Sequence, residues 1–514
     1  MLKPLPVGIQ TFSDLIRGGF LYVDKTPWIY ELIRYSKGAY FLARPRRFGK
    51  SLLISTLGEI FEGNRELFQG LWLYDSDYSW TIHPVIRLDF SRYSIRSVED
   101  LSAALQRAVQ QTAERYGVTI EPGRYEFQFE DLVRRLAERG QVVILVDEYD
   151  KPILDNITDL PTARQIRESL KGFYTSIKSL DAYLRLVFLT GISKFSKVGV
   201  FSGLNNLNDI SMNANFGALV GITEAELRSS FHDHIAEFAR AQKTDSDDIL
   251  AQMQHWYNGF RFAAHSERVY NPFSLLLAFY QQRFSNFWFE SGTPTFLIDL
   301  IRDRGYDVRQ LGNLRVEEFS FSTYELENLD LEPLLFQTGY LTIKTYDEKS
   351  RIYTLSYPNY EVENAFLHYL LRAHSEISLA LTTSTLWRLA EALRANDLER
   401  FFELLDVFFA NIPYDIQLRH EHYYQTVFYL IFKLIGLRVE AEARTSRGRI
   451  DAVVALEKAV YLFEFKVDGS EEEALAQIVE RDYYRRYAGQ ERPLVLVGVN
   501  FSTQSRSVTA WRTA

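Results

Sequence analysis

The stretch A-Y-F-L-A-R-P-R-R-F-G-K-S-L-L-I-S-T-L-G-E-I-F, Ala39 to Phe61, reads as a short apolar strand, a polar loop and a helix in immediate succession. That is the context a phosphate-binding loop needs. Amides at a helix N-terminus donate to phosphate oxygens, a glycine lets the backbone come close, a lysine reaches the β and γ phosphates, and a Ser or Thr hydroxyl ligates Mg²⁺. The candidates for holding a nucleotide are Arg47, Phe48, Gly49, Lys50, Ser51 and Leu52, with Ser51 also a metal ligand. Arg44 stands where the standard pattern G-x-x-x-x-G-K-[ST] has its first glycine, and Pro45 removes one loop amide. The loop alone therefore does not separate a nucleotide site from a chance G-K-S at a helix start.

Further along, V-V-I-L-V-D-E-Y-D places Asp147 and Glu148 at the end of a buried strand. There Asp147 can hold Mg²⁺ and Glu148 can orient the attacking water. Taken alone, an acidic pair after a strand is better explained by a helix N-cap or a solvated turn. Joined to the loop at Lys50, it reads as the second half of an ATP site. A third strand, L-R-L-V-F-L-T, ends at Thr190, which either senses the γ-phosphate or caps backbone groups. Strands alternating with helical stretches from about residue 39 to 209 predict an α/β fold with a mostly parallel sheet wrapped by helices.

The chain has 514 residues, 46 % hydrophobic and 24 % charged, enough apolar surface for several cores and no bias toward disorder. Changes of pattern divide it into a P-loop domain (1–215), a helical lid-like region (216–312), a helical region (313–414) and a C-terminal domain (415–514). In the third, a helix and the hairpin around D-E-K-S suit either a winged-helix-like unit or a plain structural hairpin. The absence of cysteine excludes a disulfide scaffold, a thiolate zinc site and a cysteine nucleophile. A formal net charge of -9 argues against coating nucleic acid by bulk electrostatics, so any such contact is local. No apolar run approaches the ~20 residues a membrane-spanning helix needs, and the start M-L-K-P-L-P-V-G lacks a signal peptide's apolar core. The expectation is a soluble, cytoplasmic protein that does not enter membranes.

The last hundred residues carry a separate signal. Their pattern predicts the order α-β-β-β-α-β, with G-R-I-D ending at Asp451 and the run F-E-F-K holding Glu464 and Lys466. Residues two apart on a strand share a face, so Glu464 and Lys466 point the same way and Asp451 on the neighbouring strand can converge on them. Two carboxylates and a lysine on an apolar sheet suit metal-assisted phosphodiester hydrolysis. Asp451 and Glu464 would ligate Mg²⁺ (or Mn²⁺), and Lys466 would position the water and offset phosphate charge. Gln477 begins a helix face continued at helical spacing by Arg481 and Tyr484, and Glu421 in the preceding helix is a further metal-ligand candidate. A bare E-x-K would be better explained by a Glu and a Lys paired on a solvent-facing strand edge. The order of elements and the G-R-I-D spacing favour a nuclease.

With these runs, Y-V-D-K-T (Tyr22 to Thr26), T-G-I-S-K (Thr190 to Lys194), W-Y-N-G-F-R-F (Trp256 to Phe262) and V-Y-N-P-F-S (Val269 to Ser274), the chain resembles, nearly end to end, bacterial AAA-ATPase-like proteins fused to a PD-(D/E)XK nuclease domain. The resemblance implies that Arg44 is a family variation. It assigns Lys50 and Ser51 to the Walker A positions, Asp147 and Glu148 to the Walker B positions, and Asp451, Glu464 and Lys466 to the nuclease core. The expected function is an ATP-regulated, Mg²⁺-dependent nuclease acting on DNA, with RNA and homo-oligomer formation left open and links to phage defence or mobile elements implied. The competing reading is a nucleotide-dependent switch or scaffold whose nuclease-like domain only binds nucleic acid or a protein. Equal numbers of basic and acidic residues from Asp415 to Ala514 suit weak or partner-assisted DNA binding.

Overall fold

The computed structural model describes residues 2–194, 204, 206–290, 295–321, 330–413, 421–435, 438–439, 444–445, 448–449, 452–456, 459–487, 492–505 and 507–514. The chain forms two compact units. One comprises Met1–Gly292 and Gly312–Val362, the other Thr293–Leu311 and Glu363–Ala514.

In the first unit, β1 (Gly38–Ala43), β2 (Val85–Asp89), β3 (Val142–Asp147), β4 (Leu184–Gly191) and β5 (Asn208–Asp209) form one sheet in the order β2-β3-β4-β1-β5. Every pairing is parallel. Parallel strands covered on both faces need continuous apolar runs, and Val142 to Val146 are completely buried. Because all strands run the same way, their carboxyl ends meet at one edge. Asp89 lies in register with Asp147, and Ala43 with Gly191. The strand inserted between β1 and β3 is β4, so its end at Thr190 is placed between the phosphate-loop motif and the acidic motif.

Helix α1 (Lys50–Phe61) leaves the sheet directly after the loop, and Gly49 precedes it at φ 93, a left-handed conformation that glycine adopts without strain. The helices α2 (Val98–Tyr116), α3 (Tyr125–Ala137) and α4 (Leu160–Ser179) cover the sheet, each with one buried apolar stripe. The helical middle includes α5 (Ser246–Tyr257) and α6 (Pro272–Gln281), whose core holds Phe231, Phe238, Met253, Tyr257, Leu275 and Phe279. Lys25 of Y-V-D-K-T anchors this layer: its buried ammonium donates to Glu226, at 2.7 Å, and to Ala218 O. Beyond it, helix α7 (Leu331–Thr338) precedes the hairpin β7 (Thr342–Asp347) and β8 (Ile352–Ser356), and Leu314–Glu317 joins as β6 in the order β6-β8-β7.

The second unit consists of long helices followed by a mixed sheet. Its strands are β9 (Arg438–Val439), β10 (Ala452–Ala455), β11 (Val460–Val467), β12 (Leu494–Ser502) and β13 (Ser507–Thr513), in sequential order across the sheet. Strands β11 and β12 pair in parallel because helix α8 (Glu471–Glu480) crosses between them. The final antiparallel strand β13 lies outside the α-β-β-β-α-β order expected from the sequence.

Candidate functional site

Arg44, at the position of the missing glycine, is 1 % exposed and turns away from any phosphate. Its guanidinium donates to Ala43 O at 2.8 Å, Ser211 O at 2.7 Å and Phe216 O at 3.1 Å, and lies 4.2 Å from the centre of the Phe262 ring. Burial pushes its pKa down to about 9, with Asp209 opposing. Phe48 is equally buried and meets Phe260 and Phe262 edge-on. The W-Y-N-G-F-R-F motif thus forms the floor beneath the loop, a structural use that its sequence did not reveal.

The remaining loop groups face an open cavity of about 510 Å³, lined by Arg46, Arg47, Gly49, Lys50, Ser51 and Leu52 on one side and Glu148 and Asp150 on the other. The ammonium of Lys50 donates to Arg44 O and Pro45 O, at 2.9 and 2.8 Å, and so bridges carbonyls of its own loop. Burial draws its pKa down against the pull of Asp147, Glu148 and Asp150. Phosphate oxygens are charged acceptors and bind an ammonium more strongly than carbonyls do. Arg47 adopts φ 63 and lays its guanidinium 5.0 Å from the centre of the Phe273 ring.

At the end of β3, Asp147 accepts from the Thr190 hydroxyl at 2.6 Å and from Glu148 N at 3.1 Å. Thr190 is fully buried, so here its hydroxyl orients the Asp147 carboxylate and does not face the cavity. Glu148 takes a left-handed φ of 52, which costs free energy in a non-glycine residue. Burial raises its pKa, opposed by Lys50 and Arg46. Asp150, which the sequence reading did not rank as a site residue, accepts from Ile192 N, Ser193 N and Ser193 Oγ and ties the T-G-I-S-K segment to this turn.

The cavity, the left-handed glycine and the lysine fit a nucleoside triphosphate. Among the described residues no group of three or more His, Cys, Asp or Glu side chains is gathered to hold a metal. The oxygens of Ser51 and Asp147 nevertheless suit a hard divalent cation bound mainly by substrate phosphates, a mode that needs only one or two protein ligands.

In the second unit, Glu464 and Lys466 share one face of β11, and Gln477 of α8 reaches both. Lys466 Nζ donates to Gln477 Oε1 at 2.6 Å, while Gln477 Nε2 donates to Glu464 Oε1. Glu464 is 3 % exposed. The helix lies this close because residue 498 is glycine: a Cβ there would stand 2.3 Å from Glu471 O. The extended helix face is corrected, since α8 ends at Glu480, Asp482 turns to φ 55 and Tyr484 belongs to a separate turn. Asp451 lies outside the described residues, as does the side chain of Glu421, so what is described of this centre is Glu464, Lys466 and Gln477.

Residues 6–201 match the family model described as "Predicted AAA-ATPase", and residues 419–511 match that of the PD-(D/E)XK nuclease superfamily. A protein of Azotobacter chroococcum mcd 1, described as "Uncharacterized protein in vnfD 5'region", is 41 % identical over 525 residues, covering 99 % of this chain and 98 % of its own length. Among the described residues no helix is long and apolar enough to cross a membrane.

Proposed function

The chain belongs to the family of predicted AAA-ATPases that carry a C-terminal PD-(D/E)XK nuclease-superfamily domain, and from that premise we propose that it binds and hydrolyses ATP and uses its nucleotide state to regulate a metal-dependent DNA nuclease. The observation that carries the nucleotide half is the cavity with Gly49, Lys50 and Ser51 on one wall and Glu148 on the other. In this reading Lys50 exchanges its two loop carbonyls for β and γ phosphate oxygens, and the amides from Arg47 to Leu52 donate to the remaining phosphates. Asp147, held by Thr190, and Ser51 hold Mg²⁺, which neutralises phosphate charge when bound. Glu148 orients the water. A smaller apolar cavity of about 100 Å³, sharing Pro6, Leu52, Pro272 and Leu276 with the larger one, is suited to the base.

At the nuclease site, Glu464 and Asp451 hold the cation, which supplies charge neutralisation and an activated water. Lys466 sets the water and offsets phosphate charge, and Gln477 fixes Lys466 and Glu464 relative to one another. Regulation requires ATP to bind the active and inactive arrangements with different affinity. The test is plasmid cleavage with Mg²⁺ or Mn²⁺, with and without ATP, by the full chain and by Lys50→Ala and Lys466→Ala. Cleavage that responds to ATP in the wild type, loses that response in Lys50→Ala and disappears in Lys466→Ala supports the proposal. Equal cleavage by wild type and Lys50→Ala at every ATP concentration refutes regulation, and no cleavage under any condition refutes the nuclease and favours a nucleotide-dependent scaffold.

A further inference from the structure

Four cationic side chains line the larger cavity: Arg46, Arg47, Lys50 and Lys151. Three are engaged. Lys50 rests on the loop carbonyls, Arg47 lies over Phe273, and Lys151 pairs with Asp155. Arg46 differs, because its side chain is exposed to the cavity and makes no hydrogen bond or ion pair among the described residues.

The backbone from which it projects is held on both sides. Pro45 restricts the chain before it, and its own carbonyl accepts from the indole nitrogen of Trp288 at 3.0 Å. The guanidinium therefore swings from a fixed origin. Its charge bears on both Lys50 and Glu148, the groups that on the reading above meet the γ-phosphate and the water. Three carboxylates, Asp147, Glu148 and Asp150, act on Lys50 at the same edge and repel an incoming phosphate, a repulsion that a further cationic side chain beside Lys50 and the bound cation would offset.

We propose that Arg46 is a catalytic arginine for ATP hydrolysis, supplied in cis by the phosphate-binding loop itself and placed on the γ-phosphate oxygens in the transition state. The inference rests on the ATP reading of this cavity. In the step it serves, the water oxygen bonds to the γ-phosphorus and the bond from that phosphorus to the β,γ-bridging oxygen breaks, its electron pair leaving with ADP. A water proton passes by way of Glu148 to solvent, giving ADP, inorganic phosphate and one proton. Charge accumulates on the equatorial oxygens and the leaving group, where a planar guanidinium can donate two hydrogen bonds at once.

The experiment uses the full chain as wild type, Arg46→Ala and Arg46→Lys, and measures ATP and ADP affinity, single-turnover hydrolysis, and affinity for ADP with aluminium fluoride, a mimic of the transferring phosphoryl group. Arg46→Ala should slow hydrolysis by about a thousandfold, keep ADP affinity within a few-fold and lose the extra affinity for the aluminium fluoride complex. Arg46→Lys should recover only part of the rate. Retained ADP binding also reports that the variant is folded. Wild-type hydrolysis or wild-type aluminium fluoride affinity in Arg46→Ala would overturn the inference while leaving the ATP site standing. So would a wild-type rate per chain that climbs with protein concentration, since the arginine would then come from a second copy. A wild-type chain that binds no ATP would overturn the nucleotide reading and this inference with it.

Discussion

Replacing Arg44 by glycine gives the loop the standard first residue of a nucleotide-binding motif, yet the structure predicts a loss of stability. Three hydrogen bonds from a charged donor contribute roughly 1.5 kcal/mol or more each, and the Phe262 ring adds about 1 kcal/mol. Against this, holding a guanidinium whose pKa burial pushes down to about 9 costs about 5 kcal/mol. In the native protein the two sides nearly cancel. Deletion does not return to that balance, because the carbonyls of Ala43 and Phe216 stay buried without this donor, at about 1–3 kcal/mol each, beside a void where the side chain stood. Glycine also frees the unfolded chain, at about 1 kcal/mol. Arg44→Gly should therefore cost about 4 kcal/mol, a fall of roughly 5 to 10 °C in the melting temperature of the first unit. Thermal unfolding followed by calorimetry reads the shift, and nucleotide titration of the same samples should show weaker binding as the loop loses its anchor. A variant that melts within a degree or two of wild type and binds ATP more tightly would refute this account of Arg44.

Glu148→Gln should bind ATP normally and hydrolyse it about a hundredfold more slowly or worse, since the amide cannot take the water's proton; a rapid-quench measurement at saturating ATP decides it. Gln477→Leu should lower plasmid cleavage by about 10- to 100-fold by freeing Lys466 and Glu464, as loss of groups that orient metal ligands does elsewhere, while leaving ATP hydrolysis unchanged. Gly498→Ala should destabilise the second unit by about 1–3 kcal/mol, because the new Cβ would stand 2.3 Å from Glu471 O and 2.9 Å from Leu475 N, both backbone atoms that move only with the helix. Denaturant unfolding of wild type and variant would read that loss, and an unchanged midpoint would mean the helix lies further from the sheet.

The candidate residues of both proposed centres stand out in the sequence because each part is local. Strand, loop and helix follow one another through Lys50; V-V-I-L-V-D-E is a buried strand that must end in acids at an open edge; Glu464 and Lys466 are two apart and so share a face. Periodicity tells which face of an element is covered but not what covers it. The order β2-β3-β4-β1-β5 joins Gly38 to Leu186 and Val85 to Val143, pairings that no local pattern specifies. Strand β13 was missed because it is a largely exposed edge strand without clear alternation. The same limit explains Arg44, read from the sequence as a departure from a motif. Its partners Ser211 and Phe216 lie 167 and 172 residues away, and only the folded chain shows the arginine to be a buried pin. Thr190 is similar, since a hydroxyl at a strand end can face a ligand or a neighbour, and the insertion of β4 beside β3 turns it to Asp147. Sequence by itself marked which residues are candidates for the proposed reactions, because reactivity belongs to side-chain type and short spacing. Tertiary structure decided which of them meet, because contacts between distant segments depend on how separate elements pack, and packing has no local code.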